Sequence, residues 1–137
     1  MHILIIDGQG GKIGKLLIEG VREKLPKAEI TAIGTNSIAT SNMLKANPDH
    51  AATGANPVIV ASRTADIIAG PIGIVIADSL IGEITSDMAI AVGRSKAKKV
   101  LIPLNKCDNL VAGVRSLSMN ELVANAIEQI ESCVVGC

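Results

Sequence analysis

The 137-residue chain contains no phenylalanine, tyrosine or tryptophan. Its core must therefore be aliphatic, and no ring is available to stack an adenine, a flavin or an unpaired base. Net charge is also absent, because 13 basic side chains cancel 13 acidic ones. No field concentrates nucleic acid or anionic lipid, so neither partner is expected. Long apolar runs are missing as well. The longest uncharged apolar stretch is the eleven residues between Asp66 and Asp78, against the roughly 20 that a spanning helix needs, so no membrane segment is expected. The opening MHILIID has no basic n-region and no cleavage site, and does not read as a signal peptide. Cysteines are few and odd in number: Cys107, Cys133 and Cys137 follow no metal-ligand spacing. Reduced thiols in a cytoplasmic protein, with no metal site, are the expectation.

What is present is a soluble globular composition, 48% hydrophobic and 19% charged. A chain of this length forms one domain and buries roughly 68–70% of its unfolded surface. HILII at 2–6 is a continuous, β-branched run followed by glycines, the pattern of a strand buried on both faces. From Lys12 the period changes: Ile13, Leu16, Leu17, Val21 and Leu25 share one helical face until Pro26. EITAIG at 29–34 is a second strand, which completes a βαβ unit. Thr35, Asn36 and Ser37 are candidate caps for a helix running to Asn47-Pro48. PDHAATGAN at 48–56 reads as a loop, with His50 as an isolated, solvent-facing histidine rather than a catalyst.

The middle is harder to assign. Residues 66–70 read as a strand closed by Gly70-Pro71, and 58–62 and 72–78 as short helices or strands. A helix opens at Thr85-Ser86 and carries Met88, Ala91 and Val92 inward. The cations that follow it, Arg94, Lys96, Lys98 and Lys99, suit a solvated helix end. KVLIPLN at 99–105 is a strand, NLVAGV at 109–114 a last edge strand, and Ser118 with Glu121 forms a capping box opening a helix to about Cys133. Strands that lack the period-2 pattern of a wet face, alternating with helices, predict an α/β domain: a Rossmann-like open parallel sheet with helices on both faces. Right-handed crossovers put the carboxyl ends of the strands on one rim, where ligands of such sheets bind.

Four glycines fall within seven residues from the end of the first strand into the first turn of the first helix. Gly8 is expected to permit a tight turn, Gly10 or Gly11 the approach of a pyrophosphate, and Gly14 the close packing of helix on sheet. Free amides at the helix start would then face an anion. The candidate cofactor-binding set is Gly8, Gln9, Gly10, Gly11, Lys12, Ile13 and Gly14 on the loop, Thr35 and Asn36 facing a ribose, and Gly70 with Asn105 on the far side. The spacing Gly8-x-x-Gly11-x-x-Gly14 resembles the cofactor loop of extended short-chain dehydrogenases and of dihydrodipicolinate reductases. That resemblance implies a phosphate-bearing small molecule, an NAD- or NADP-like nucleotide. Three departures limit it. Asp7 stands where most such loops keep a small or apolar residue, free to hold a metal ion, bind a hydroxyl or brace the loop's amides. Gly34-Thr35-Asn36 supplies no acidic residue for a ribose hydroxyl, and the nearest cation in sequence is Lys45. A tyrosine acid is absent, which excludes hydride transfer by the short-chain dehydrogenase mechanism.

A competing motif, Asn105-Lys106-Cys107-Asp108 after a strand, resembles the guanine-reading element of GTP-binding proteins. The phosphate loop of that class requires a glycine where this chain has Gln9 and a hydroxyl where it has Leu16. Cys107 has no histidine or helix start to activate it and reads as a small hydrophobe. Asp7 and Asp78 would approach each other on the rim if 72–77 were a strand. Taken whole, the loop at 7–14, GTNSIAT with MLKA, ATGAN, ADIIAGP, GEIT with Met88-Ala89, and IPLNKC resemble a family of short bacterial proteins known only as a domain of unknown function. That likeness implies a Rossmann-like fold without an assigned activity. Three classes stay open: a nucleotide-dependent enzyme, a ligand-sensing module without chemistry, and a structural homo-oligomer whose loop is empty. With no separate substrate domain at this length, catalysis is expected to need a partner subunit or a second copy.

Overall fold

A computed structural model describes residues 1–104 and 109–136. Five strands, β1 (His2–Asp7), β2 (Glu29–Gly34), β3 (His50–Thr53), β4 (Ile67–Pro71) and β5 (Lys98–Ile102), alternate with five helices. These are α1 (Lys12–Lys24), α2 (Ser37–Leu44), α3 (Ala55–Ala61), α4 (Ser86–Arg94) and α5 (Met119–Val135), with a 3-10 turn at Ile72–Val75 after β4. All strand pairs are parallel, in the order β3-β2-β1-β4-β5. The chain steps outward from β1 to β3, then returns to the other side of β1 as β4. That 3-2-1-4-5 order is the Rossmann order, and its reversal lies between β1 and β4.

The aliphatic strands bury both faces, as their unbroken apolar runs predict. Ile3, Ile5, Ile67 and Ala69 pack against Leu17 and Ile18 of α1, Met43 of α2 and Ile127 of α5. Leu4, Ile6, Ile33 and Ile68 pack on the opposite face against Val58 of α3 and Met88 and Val92 of α4. Each fully buried Ile or Leu contributes about 1.5–3 kcal/mol relative to exposure, so a core without rings suffices. Among the described residues no helix is long and apolar enough to cross a membrane.

The structure changes several sequence expectations. Residues 50–53, expected in a loop, form edge strand β3, in register from Thr31↔His50 to Gly34↔Thr53. The open backbone edge of β2 recruits them, although their side chains are mostly exposed and carry no apolar signal. His50 is also not isolated, since its Nε2 lies 2.8 Å from Glu29 Oε1 at the start of β2. Helix α2 stops at Leu44 rather than running on to Asn47, and left-handed Asn47 (φ 57°) turns the chain into β3. Within α4, Ala89 rather than Ala91 joins the core. Strand β5 ends at Ile102, ahead of Pro103, instead of reaching 105. Residues 109–114 pair with no strand: Gly113 turns there at φ 82° and Leu110 is 93% exposed. The capping box at α5 is present, with Glu121 N donating to Ser118 Oγ and Ser118 N to Glu121 Oε1.

Candidate functional site at the carboxyl ends of the strands

At the reversal point β1 ends in Asp7, and residues 8–11 turn the chain into α1. The turn closes when Gly11 N donates to Gly8 O at 2.9 Å. Gly11 is left-handed (φ 72°), and a Cβ on it would lie 2.6 Å from Ala39 O of α2. Two constraints therefore demand glycine there. Gly14 brings α1 close to the sheet as expected, since a Cβ would meet Asp7 Cβ at 2.9 Å and the thioether of Met43. Gly8 has no left-handed φ. It is crowded instead, with the site of a Cβ 2.6 Å from Thr35 Oγ1, 2.8 Å from Leu80 Cδ1 and 2.9 Å from Glu83 Oε2. Gly10 alone has open space on its Cβ side.

Most of the amides expected to be free for an anion are occupied by the protein's own carboxylates. Asp7 Oδ1 accepts from Gly8 N at 2.8 Å, and Asp7 Oδ2 from Gly14 N at 2.7 Å. Glu83 Oε2 accepts from Gln9 N at 2.8 Å. The amides of Gly10 and Lys12 donate to no described residue, and the N-cap residue Gly11 supplies no side-chain cap of its own. Of the three roles open to Asp7, bracing the loop is the one its geometry shows. Asp7 is 4% exposed. Its burial pushes the carboxyl up to about 6, against the downward pull of the Gly14, Gly8 and Ile13 amides, and the nearby charge of Glu83 adds to the rise.

Thr35 and Asn36, at the end of β2, stand beside this loop, but Asn36 is spent on protein contacts. Its Oδ1 caps α2 by accepting from Ala39 N at 2.8 Å, while its Nδ2 donates to Gln9 O at 3.0 Å and to Glu83 Oε1. Asn42 of α2 donates to Gly10 O at 2.9 Å. The Thr35 hydroxyl oxygen is buried and has no hydrogen-bond partner. Gly70 is sheet packing rather than lining, because a Cβ there would sit 2.2 Å from Ile6 O. Asn105, with the rest of the Asn105-Lys106-Cys107-Asp108 motif, lies outside the described residues.

Glu83 belongs to the segment 76–84, which folds over the rim between the 3-10 turn and α4. Asp78 N donates to Ile84 O at 2.7 Å and Ile84 N to Ser79 O at 3.2 Å. Leu80 is 2% exposed, whereas Ile81 beside it is 92% exposed. Asp78, Leu80, Ile81 and Gly82 are all left-handed. The residues at the end of β2, Gly34-Thr35-Asn36, include no acid. The acid that stands there arrives from 47 residues downstream, and only this turn, with no periodic signal, delivers it. The suggested approach of Asp7 to Asp78 does not occur: 72–75 is a 3-10 turn, Asp78 is exposed and Asp7 is buried. Among the described residues no group of three or more His, Cys, Asp or Glu is placed to hold a metal ion.

No curated protein matches the chain. A solved structure similar to it is the dodecameric FMN-dependent UbiX-like decarboxylase from Escherichia coli O157:H7, 14% identical, with a TM-score of 0.48 over 96% of this chain and 93% of that one. A family model matches residues 2–135, nearly the whole of the chain. The chain therefore belongs to the family described as a domain of unknown function, DUF3842.

Proposed function

We propose that this protein binds a phosphate-bearing small molecule, a nucleotide or dinucleotide of the NAD or NADP kind, on the rim above the loop 8–14. One observation carries the reading: the glycine loop sits at the reversal between β1 and β4 of a 3-2-1-4-5 sheet, the position where open α/β sheets take their ligands. Gly10 and Lys12 supply the amides still available, and the exposed Lys12 side chain supplies a cation beside them.

A melting screen against NAD, NADP, ATP, GTP, nucleoside monophosphates and phosphosugars tests it. Without tryptophan the readout is calorimetry or an external dye. A ligand present at 100 times its dissociation constant adds about 2.7 kcal/mol of stability. Gly10→Val, which meets open space in the free protein, should abolish that shift and leave the unliganded melt nearly unchanged. A shift that survives Gly10→Val would place the ligand elsewhere.

The second reading is a homo-oligomeric module without chemistry, whose loop holds no ligand. It is favoured by the occupation of three loop amides by Asp7 and Glu83. A panel in which no compound moves the melt selects it.

A further inference from the structure

Two donors from different elements converge on one carboxylate at the rim. Gln9 N, on the loop after β1, and Asn36 Nδ2, at the start of α2, both donate to Glu83. We infer that this pair, with the neighbouring Gly10 amide, is an anion subsite for a phosphate or pyrophosphate oxygen, and that Glu83 is its tethered occupant in the free protein. The inference rests on the ligand reading above and adds to it a built-in competitor.

Three observations support an occupant that can leave. Glu83 is only half-buried and forms no ion pair among the described residues, so its side chain can swing out without stranding a charge. The segment that presents it holds left-handed Asp78, Leu80 and Ile81, a backbone state disfavoured for residues with a side chain. Beneath it the buried Thr35 hydroxyl lacks any partner, and this oxygen and Glu83 Oε2 lie 2.6 and 2.9 Å from the same point over Gly8. A carboxylate has two oxygens, and both are taken by Gln9 and Asn36. A phosphate in the same place brings further oxygens, one for Thr35 and one for Gly10 N. Neutral donors hold both anions, and the negative charge of Glu83 already stands near Asp7, so the exchange replaces one anion beside that carboxyl with another once Glu83 moves into water.

A competitor on the same chain lowers apparent affinity by the fraction of molecules in which the subsite is open. Inorganic pyrophosphate is the probe, titrated calorimetrically into the wild type, Glu83→Ala, Glu83→Gln and Asp78→Asn. Asp78 is exposed on the same segment and donates no side-chain contact to the loop, so Asp78→Asn controls for the loss of one negative charge. Glu83→Ala should bind pyrophosphate roughly tenfold tighter than wild type, Glu83→Gln should fall between them, and Asp78→Asn should stay within about twofold. In the wild type, the Gln9 amide and the Asn36 side-chain amide resonances should move together as pyrophosphate is added. Equal affinity in wild type and Glu83→Ala overturns the competitor while leaving the loop as a ligand site. No binding by either protein overturns both readings, and an equal gain in Asp78→Asn reduces the effect to net charge and overturns the subsite.

Discussion

The carboxylate of Asp7 accepts from the amide of Gly14 at 2.7 Å, so the last residue of β1 fills the anion position at the third residue of α1. The contact depends on backbone proximity, since a Cβ on Gly14 would lie 2.9 Å from Asp7 Cβ. A helix start that commonly waits for a ligand's charge is here stabilised by a charge of the protein's own. This relationship fixes where a ligand can still approach: on the side of Gly10 and Lys12, or through displacement of Glu83.

The same carboxyl makes stability pH-dependent. Its folded pKa is about 6 against an ordinary 3.8, chiefly because of burial. The native state then binds the proton more tightly than the unfolded chain between these two values. Stability therefore falls as pH rises from about 4 to about 6 and is flat above, by about 3 kcal/mol in all. Urea unfolding followed by far-ultraviolet circular dichroism at pH 4, 5, 6 and 7 checks this against Asp7→Asn. Between those limits the variant should gain about 3 kcal/mol on the wild type. Asp49 and Glu121, whose carboxyls are held low by hydrogen bonds from Ile30 and Ser118, change stability in the opposite sense and cancel in that comparison.

The four glycines of the loop should respond unequally to alanine. Gly11 is left-handed and its Cβ would meet the Ala39 carbonyl at 2.6 Å. Gly11→Ala should lose about 3 kcal/mol from the combined dihedral and overpacking penalties. Gly10 has no such φ and open space around it, so Gly10→Ala should remain within about 0.5 kcal/mol. Denaturant midpoints of the two variants decide it. Equal losses would mean that the loop is not held as described.

Much of the frame was legible because the chemistry that builds it is local. The runs HILII and EITAIG announce doubly buried strands, and the 3.6 period from Ile13 to Val21 announces α1. The capping residues Asn36, Thr85 and Ser118 each sit where a helix begins. Strand β3 was not legible, because a short edge strand is specified by the unsatisfied backbone of β2 and not by its own exposed side chains. The site was read only halfway. Spacing identified the loop at the reversal point, but the partners of its amides depend on Asp7 turning back onto α1 and on Glu83 arriving across 74 residues. Neither contact has a sequence period.

The Thr35 hydroxyl offers a separate test. A buried polar group without a partner costs about 1–3 kcal/mol, and Thr35 Oγ1 is the one such side-chain atom among the described residues. Valine preserves the shape and removes the demand. Thr35→Val should raise stability by about 1 kcal/mol in chemical denaturation, and a loss of similar size would show that the hydroxyl has a partner in solution.

Ile81 should be more stable as glycine. It is 92% exposed, so truncation forfeits almost no burial, and its φ of 55° places a β-branched residue in the left-handed region. That conformation costs a residue with a side chain about 1–2 kcal/mol. Glycine removes the penalty but gives the unfolded chain more freedom, which takes back about 0.4–1 kcal/mol. The net expectation is a gain near 0.5–1 kcal/mol, visible as a melting temperature a few degrees higher. Because Leu80 and Ile84 on either side are buried, the segment keeps its anchors, and the gain isolates the backbone. If Ile81→Gly melts lower than wild type, Ile81 is covered in solution by a surface that the isolated chain does not supply, and a dilution series of the wild type over a hundredfold range of concentration would then show a concentration-dependent melt.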